Sequence, residues 1–262
     1  MIIFCRVLEI VCGVTQLHDI IYIVCFAHSS VVRFNATTHQ RLTDINVMFL
    51  SGASEIVACE QTSQLYINYY KRQCIWRVSA DGADIKRWWS KSSLDTFKPQ
   101  TLSVTSTRLL VTSQNTNQLM QLDAVGNELR RVQLPRYIHP YHAVESPTGT
   151  FIVSHYNDQL NQHQVSEVNT GGKVPHQFSG SRLASLGLPD HVAVDSHGNI
   201  FVADRFNCHI LLLNAQLKLR RPIVDEHQLN DEMPWSLCYV ERTGQLFVGL
   251  ERGVEVFDVL RR

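Results

Sequence analysis

The chain has 262 residues, of which 44% are hydrophobic and 18% charged, with Lys+Arg and Asp+Glu equal at 24 each. That composition supports a large buried core and excludes a disordered chain. Zero net charge argues against a protein built to bind polyanions or a membrane surface, since no global field draws either in.

In chain order, residues 1–5 are apolar, but Arg6, Glu9, His18 and Asp19 interrupt the run. No small-residue cleavage pattern follows, so the segment does not read as a signal peptide. No uninterrupted apolar run reaches the ~18 residues of a membrane helix. Seven cysteines, an odd number without a C-x-x-C pair, read as buried reduced thiols and point to a cytoplasmic protein.

A repeat organises the rest. Strand-like segments align on a column formed by Tyr22, Tyr66, Leu110, Ile152, Phe201 and Phe247, at steps of 44, 44, 42, 49 and 46 residues. The following position is β-branched in all six copies: Ile23, Ile67, Val111, Val153, Val202 and Val248. Periods of about 40–50 residues built from short strands are the mark of stacked β blades. Four-stranded units cannot bury both faces alone, and six packed around an axis can. The expected fold is therefore all-β: a six-bladed β-propeller of four-stranded antiparallel blades forming one domain over 1–262. The blades fall at about 1–50, 51–92, 93–135, 136–180, 181–228 and 229–262. Too little chain follows residue 259 for a fourth strand in the last blade. That blade is either incomplete or closed by residues 1–5, in which case the step into a first strand at 7–11 is short.

Pro99, Pro140, Pro189 and Pro234 precede first strands, where a missing N–H does no harm. Glu60, Glu145, Asp195 and Glu241 follow first strands, where a side-chain acceptor satisfies the backbone of a hairpin turn.

The fifth copy is the most regular. Pro-Asp-His-Val-Ala-Val-Asp-Ser-His-Gly-Asn-Ile-Phe-Val-Ala-Asp, continuing to Ile210, resembles the NHL repeat, with His191 in place of the family's Gly and His209 in place of its Arg. The resemblance implies a propeller used as a recognition platform for protein or RNA, as in tripartite-motif proteins. It extends more weakly to the peptidylglycine-amidating lyase propeller. The metal-binding histidines of that enzyme align with Tyr141, Asp190 and Trp235, so its activity is not expected here. The gluconolactonase propellers need an acidic metal cluster on the axis, whereas the acids here sit at hairpin ends.

Loops from fourth to first strands and from second to third strands share one face. They gather Tyr69, Tyr70, Lys71, Arg72, Tyr141, His142, Tyr156, Asp190, His191, Arg205 and Trp235. Aromatic residues and arginine concentrated together are what a binding hot spot uses. These residues form the candidate binding face, and the leading expectation is a non-catalytic scaffold for a protein partner. One alternative is single-stranded RNA on the same aromatic and basic side chains. A second is a metal-dependent hydrolase or lyase of the gluconolactonase or amidating-lyase type. His142 and His191 share one column of successive blades and can approach each other, but two imidazoles fall short of a zinc site. No catalytic residue, metal ligand or cofactor is assigned, no membrane partner is expected, and the oligomeric state is left open.

Overall fold

The computed structural model describes residues 2–6, 9–47, 52–105, 108–180 and 186–259, the first of these segments as backbone only. Six four-stranded antiparallel sheets form the blades of a β-propeller. Blade 1 comprises Val11–Leu17, Ile20–Cys25, Ser30–Asn35 and Arg41–Asn46. Blade 2 comprises Ala53–Cys59, Gln64–Tyr69, Cys74–Ser79 and Ile85–Ser90, and blade 3 Thr101–Thr105, Arg108–Ser113, Gln118–Leu122 and Glu128–Gln133. Blade 4 is Ile138–Glu145, Phe151–Asn157, Gln162–Val168 and His176–Phe178; blade 5 is Pro189–Val194, Ile200–Asp204, His209–Leu213 and Leu219–Val224. Blade 6 holds Ser236–Val240, Gln245–Gly249 and Gly253–Asp258. Its fourth strand is Ile2–Arg6, antiparallel to Gly253–Asp258 with Ile2 opposite Val256. The N-terminal strand therefore closes the ring.

The seam differs from the sequence expectation in one respect. The first strand of blade 1 is Val11–Leu17 rather than residues 7–11. Leu17 pairs with Ile20 across a two-residue turn in which His18 takes φ 53°. That tight hairpin draws the strand towards the C-terminal side, and the connection from Arg6 is correspondingly longer.

Burial explains the repeating columns. Ile23, Ile67, Val111, Val153, Val202 and Val248 are all 0% exposed, and their neighbours in the aligned column are also buried. Second strands are covered by blades on both sides, so they read as continuous apolar runs rather than alternating ones. Fourth strands lie at the rim and show mixed burial, as in Glu128–Gln133. Apolar clusters lie between each pair of neighbouring blades, including the closing pair of blades 6 and 1. Each fully buried aliphatic side chain in them contributes about 1.5–3 kcal/mol.

The carboxylate after a first strand does turn chemistry in blade 5. Asp195 Oδ1 accepts the N–H groups of His197 and Asn199 at 2.9 and 2.7 Å, while Gly198 supplies φ 78°. Cys12, Cys25, Cys59, Cys74, Cys208 and Cys238 stand outside any disulfide. Among the described residues no helix is long and apolar enough to cross a membrane.

Candidate active site in the axial cavity

The inner, first strands share a local irregularity. Their pairing with the second strand shifts register between Val11 and Gly13, Ala53 and Glu55, Pro140 and His142, and Pro189 and His191. A bulge leaves one residue unpaired and re-aims the side chain beside it. In blades 2, 4 and 5 the residues after the bulge are Glu55, His142 and His191. All three are buried and line one end of a cavity of about 730 Å³ that runs along the axis. The cavity extends to the hairpin turns between first and second strands, at Glu60, Glu145, Asp195 and Glu241.

Glu55 and His191 come from opposite sides of the ring, 136 residues apart in sequence, with Glu55 Oε2 3.2 Å from His191 Nε2. The His142 and His191 rings stack with centroids 3.7 Å apart and planes at 23°. His142 is held in one tautomer: Nε2–H donates to the Leu102 carbonyl at 3.1 Å, and Nδ1 accepts the Val192 N–H at 3.4 Å. His191 Nδ1 is buried without a hydrogen-bond partner. Gly13, the equivalent position in blade 1, leaves the space Glu55 occupies; a Cβ there would stand 2.9 Å from Glu55 Oε1 and 2.7 Å from Ile56 N.

Burial governs the charge states. It pushes the Glu55 carboxyl up to about 8, although His142 nearby acts in the opposite direction. Burial pushes both imidazoles down to about 3, and His191 depresses His142 further. The 3.2 Å contact qualifies by distance as an ion pair. Removing two opposite charges from water costs more than one contact returns, so at neutral pH it is a hydrogen bond between neutral groups.

The donor set fits a divalent cation. One carboxylate and two imidazoles bring ligand atoms within 4.8 Å of one another. Ligands of a tetrahedral zinc, each ~2 Å from the ion, stand roughly 3.3 Å apart, and three protein ligands leave a position for water or substrate. The Glu55–His191 pair already has that spacing through His191 Nε2, from which a cation would displace the shared proton, and the weakly bonded Nδ1 of His142 offers a second lone pair at little cost. Two histidines without a third ligand was the sequence expectation, and Glu55 corrects it. The blade 2 hairpin is one residue longer than those of blades 4 and 5: Val57 pairs with Tyr66, whereas Val144 pairs with Ile152 and Ala193 with Phe201. That extra residue moves Glu55 out of the histidine column when sequences are aligned on the second strand.

Of the eleven residues of the expected binding face, only His142 and His191 line the cavity. The others lie towards the opposite, loop face, and several are engaged with one another. Arg205 sits 3.1 Å above the Trp235 ring and pairs with Asp190 at 3.1 Å. Tyr141 Oη bonds His163 Nδ1 at 3.2 Å, and Tyr156 Oη donates to Asn161 at 2.5 Å. Arg72 lies 5.6 Å from the centroid of the buried Tyr69 ring. Tyr70 is half exposed on a single 3-10 turn that also carries Lys71.

No family model and no curated protein sequence matches the chain. Its fold is similar to a gluconolactonase from Xanthomonas campestris, at TM-score 0.72 and 13% identity over 97% of this chain and 88% of that one. It is similar to hydrazine synthase from Kuenenia stuttgartiensis, at TM-score 0.69 and 13% identity over 94% and 82% of the two chains. Virginiamycin B lyase from Staphylococcus aureus gives TM-score 0.65 and 11% identity, covering 100% of this chain and 88% of that one. These three similar structures are enzymes, which favours the enzymatic alternative over the expected non-catalytic scaffold. The physical reason agrees: the aromatic face uses several of its polar groups internally, while the axial cavity gathers buried titratable groups. At these identities the likeness establishes the architecture, a six-bladed β-propeller.

Proposed function

We propose that the protein is a metal-dependent hydrolase or lyase acting in the axial cavity, with a divalent cation held by Glu55, His142 and His191. The observation that carries this reading is the convergence of these three groups, from blades 2, 4 and 5, at the closed end of an open cavity. Burying three titratable side chains together is costly for folding alone, and such clusters in clefts are where function is found. The enzymes that share the fold support the same reading.

When bound, a divalent cation polarises a carbonyl or lowers the pKa of a coordinated water. The chain's own groups do the rest. Glu55 gives up its proton to become a ligand, and Leu102 fixes the His142 ring through Nε2.

The test is elemental analysis of the purified protein beside a panel of neutral lactones and esters. The expected result is about one divalent ion per chain, lost in Glu55→Ala and His191→Ala together with turnover. A protein that neither carries nor takes up a divalent ion sinks the proposal.

A further inference from the structure

The mouth of the cavity is acidic. Glu60, Glu145, Asp195 and Glu241 line it, from blades 2, 4, 5 and 6, and among the described residues Arg242 is the one cationic side chain in the lining. Arg242 is already engaged: it donates to the His18 carbonyl and lies 3.2 Å from Asp19 Oδ1. Glu145 is matched by Arg108 at 3.0 Å, and Asp195 is committed to its turn. Glu60 and Glu241 are the exposed carboxylates of the rim, Glu241 already accepting the N–H and hydroxyl of Ser196 at 3.1 and 2.6 Å.

Two buried acceptors point to what the mouth admits. Gln16 lines the cavity at 8% exposure. Its Nε2 donates to the His18 carbonyl at 2.7 Å, which turns Oε1 away, buried and without a donor. Ser103, 7% exposed, lines the same cavity with its Oγ unpartnered. An acceptor left unpaired in a buried position is destabilising, and a ligand N–H would relieve it. Between these groups the walls are apolar, with Val14, Leu102, Val104, Val144, Val192 and Leu237 among them.

Resting on the reading of this cavity as the substrate site, we propose that the substrate is an amine. It carries a primary or secondary ammonium group on an apolar body. The Gln16 amide oxygen and Ser103 hydroxyl take its N–H groups, the rim carboxylates match its charge, and its electrophilic end reaches Glu55, His142 and His191. Anionic molecules of the same size are turned away.

Calorimetric titration of the purified protein with phenethylammonium, phenethyl alcohol and hydrocinnamate tests this without requiring turnover. The ammonium should bind about tenfold more tightly than the alcohol, and hydrocinnamate should bind weakest. Raising the ionic strength from ~0.02 to ~0.5 M should erase most of that advantage, since the Debye length shrinks from about 20 to about 4 Å. Glu60→Gln should weaken the ammonium about threefold and leave the alcohol unchanged. Gln16→Leu should abolish the preference for phenethylammonium over its trimethylated analogue, which has no N–H. Hydrocinnamate binding as tightly as the ammonium, an ammonium preference insensitive to salt, or no ammonium binding at all overturns the proposal. Amine binding without metal or ester turnover leaves this proposal standing and sinks the catalytic one, and lactone turnover without amine preference does the reverse.

Discussion

Gly13→Ala is the smallest change that separates the geometry of the candidate centre from its chemistry. The new methyl would stand 2.7 Å from the backbone nitrogen of Ile56, 2.9 Å from Glu55 Oε1 and 3.1 Å from Ile56 Cγ2. An ordinary contact needs about 3.4 Å or more, so blade 1 must move away from blade 2 by roughly 0.5–1 Å, or the Glu55 carboxyl must leave. Overpacking of this kind costs about 1–3 kcal/mol. In a chain of this size that lowers the midpoint of thermal unfolding by roughly 2–10 °C. Glu55 and His191 stand 3.2 Å apart, so the same displacement pulls one ligand out of the set. Displacing a ligand should weaken divalent-ion binding at least as much as losing an outer-shell partner, which costs about 10–100-fold. Denaturant unfolding with an unchanged slope gives the first number, and metal titration of the variant gives the second. Gly13→Ala with unaltered metal affinity and a stability loss under ~0.5 kcal/mol would refute the argument that this glycine makes room for Glu55.

The remaining predictions address charge, packing and closure. In chelated protein, Glu55 is held at about 8 against an ordinary 4.5. Its contribution to stability is therefore full below pH ~4.5 and lost as pH rises to ~8, by about 1.4 kcal/mol per pH unit. His142 and His191, held at about 3 against an ordinary 6.5, behave oppositely: they favour the folded state above pH ~6.5 and destabilise it progressively as pH falls towards ~3. Urea titrations across pH should show the alkaline fall disappear in Glu55→Gln and the acid fall shrink in His191→Asn; parallel curves for all three proteins would contradict the assignment. Arg205→Ala leaves Asp190 without its cation and uncovers Trp235, and should cost about 1–3 kcal/mol. Asp190→Asn should then recover part of that loss in a double-mutant cycle, and additive losses would count against the stack. Removing residues 1–6 exposes the edge of Gly253–Asp258. Lowered thermal stability and concentration-dependent association are expected, measured by scanning calorimetry and light scattering.

The architecture was legible in the chain because second strands are buried on both faces. Burial on two sides forces an apolar pair at each repeat, and six such pairs at near-constant spacing admit few other folds. Closure by the N-terminal strand was legible as one of two outcomes, since the last blade runs out of chain. The start of blade 1 was not, because the two-residue turn at His18 and Asp19 resembles strand continuation more than a hairpin.

His142 and His191 were visible as a shared column, and their approach follows from adjacent blades meeting at the axis. Glu55 was hidden. It lies more than eighty residues before its partners, on a hairpin one residue longer, and only closing the ring brings blade 2 opposite blade 5. The aromatic face is ambiguous for a related reason. Tyr, Trp and Arg at loop positions look alike whether they face a partner or each other, and composition carries no information about that choice. The sequence by itself determined which residues are buried and how often the pattern repeats, because those are properties of local periodicity. Which buried polar groups meet, and from which end a ligand reaches them, was decided by the tertiary structure, because the axis of a closed ring exists only once its first strand pairs with its last.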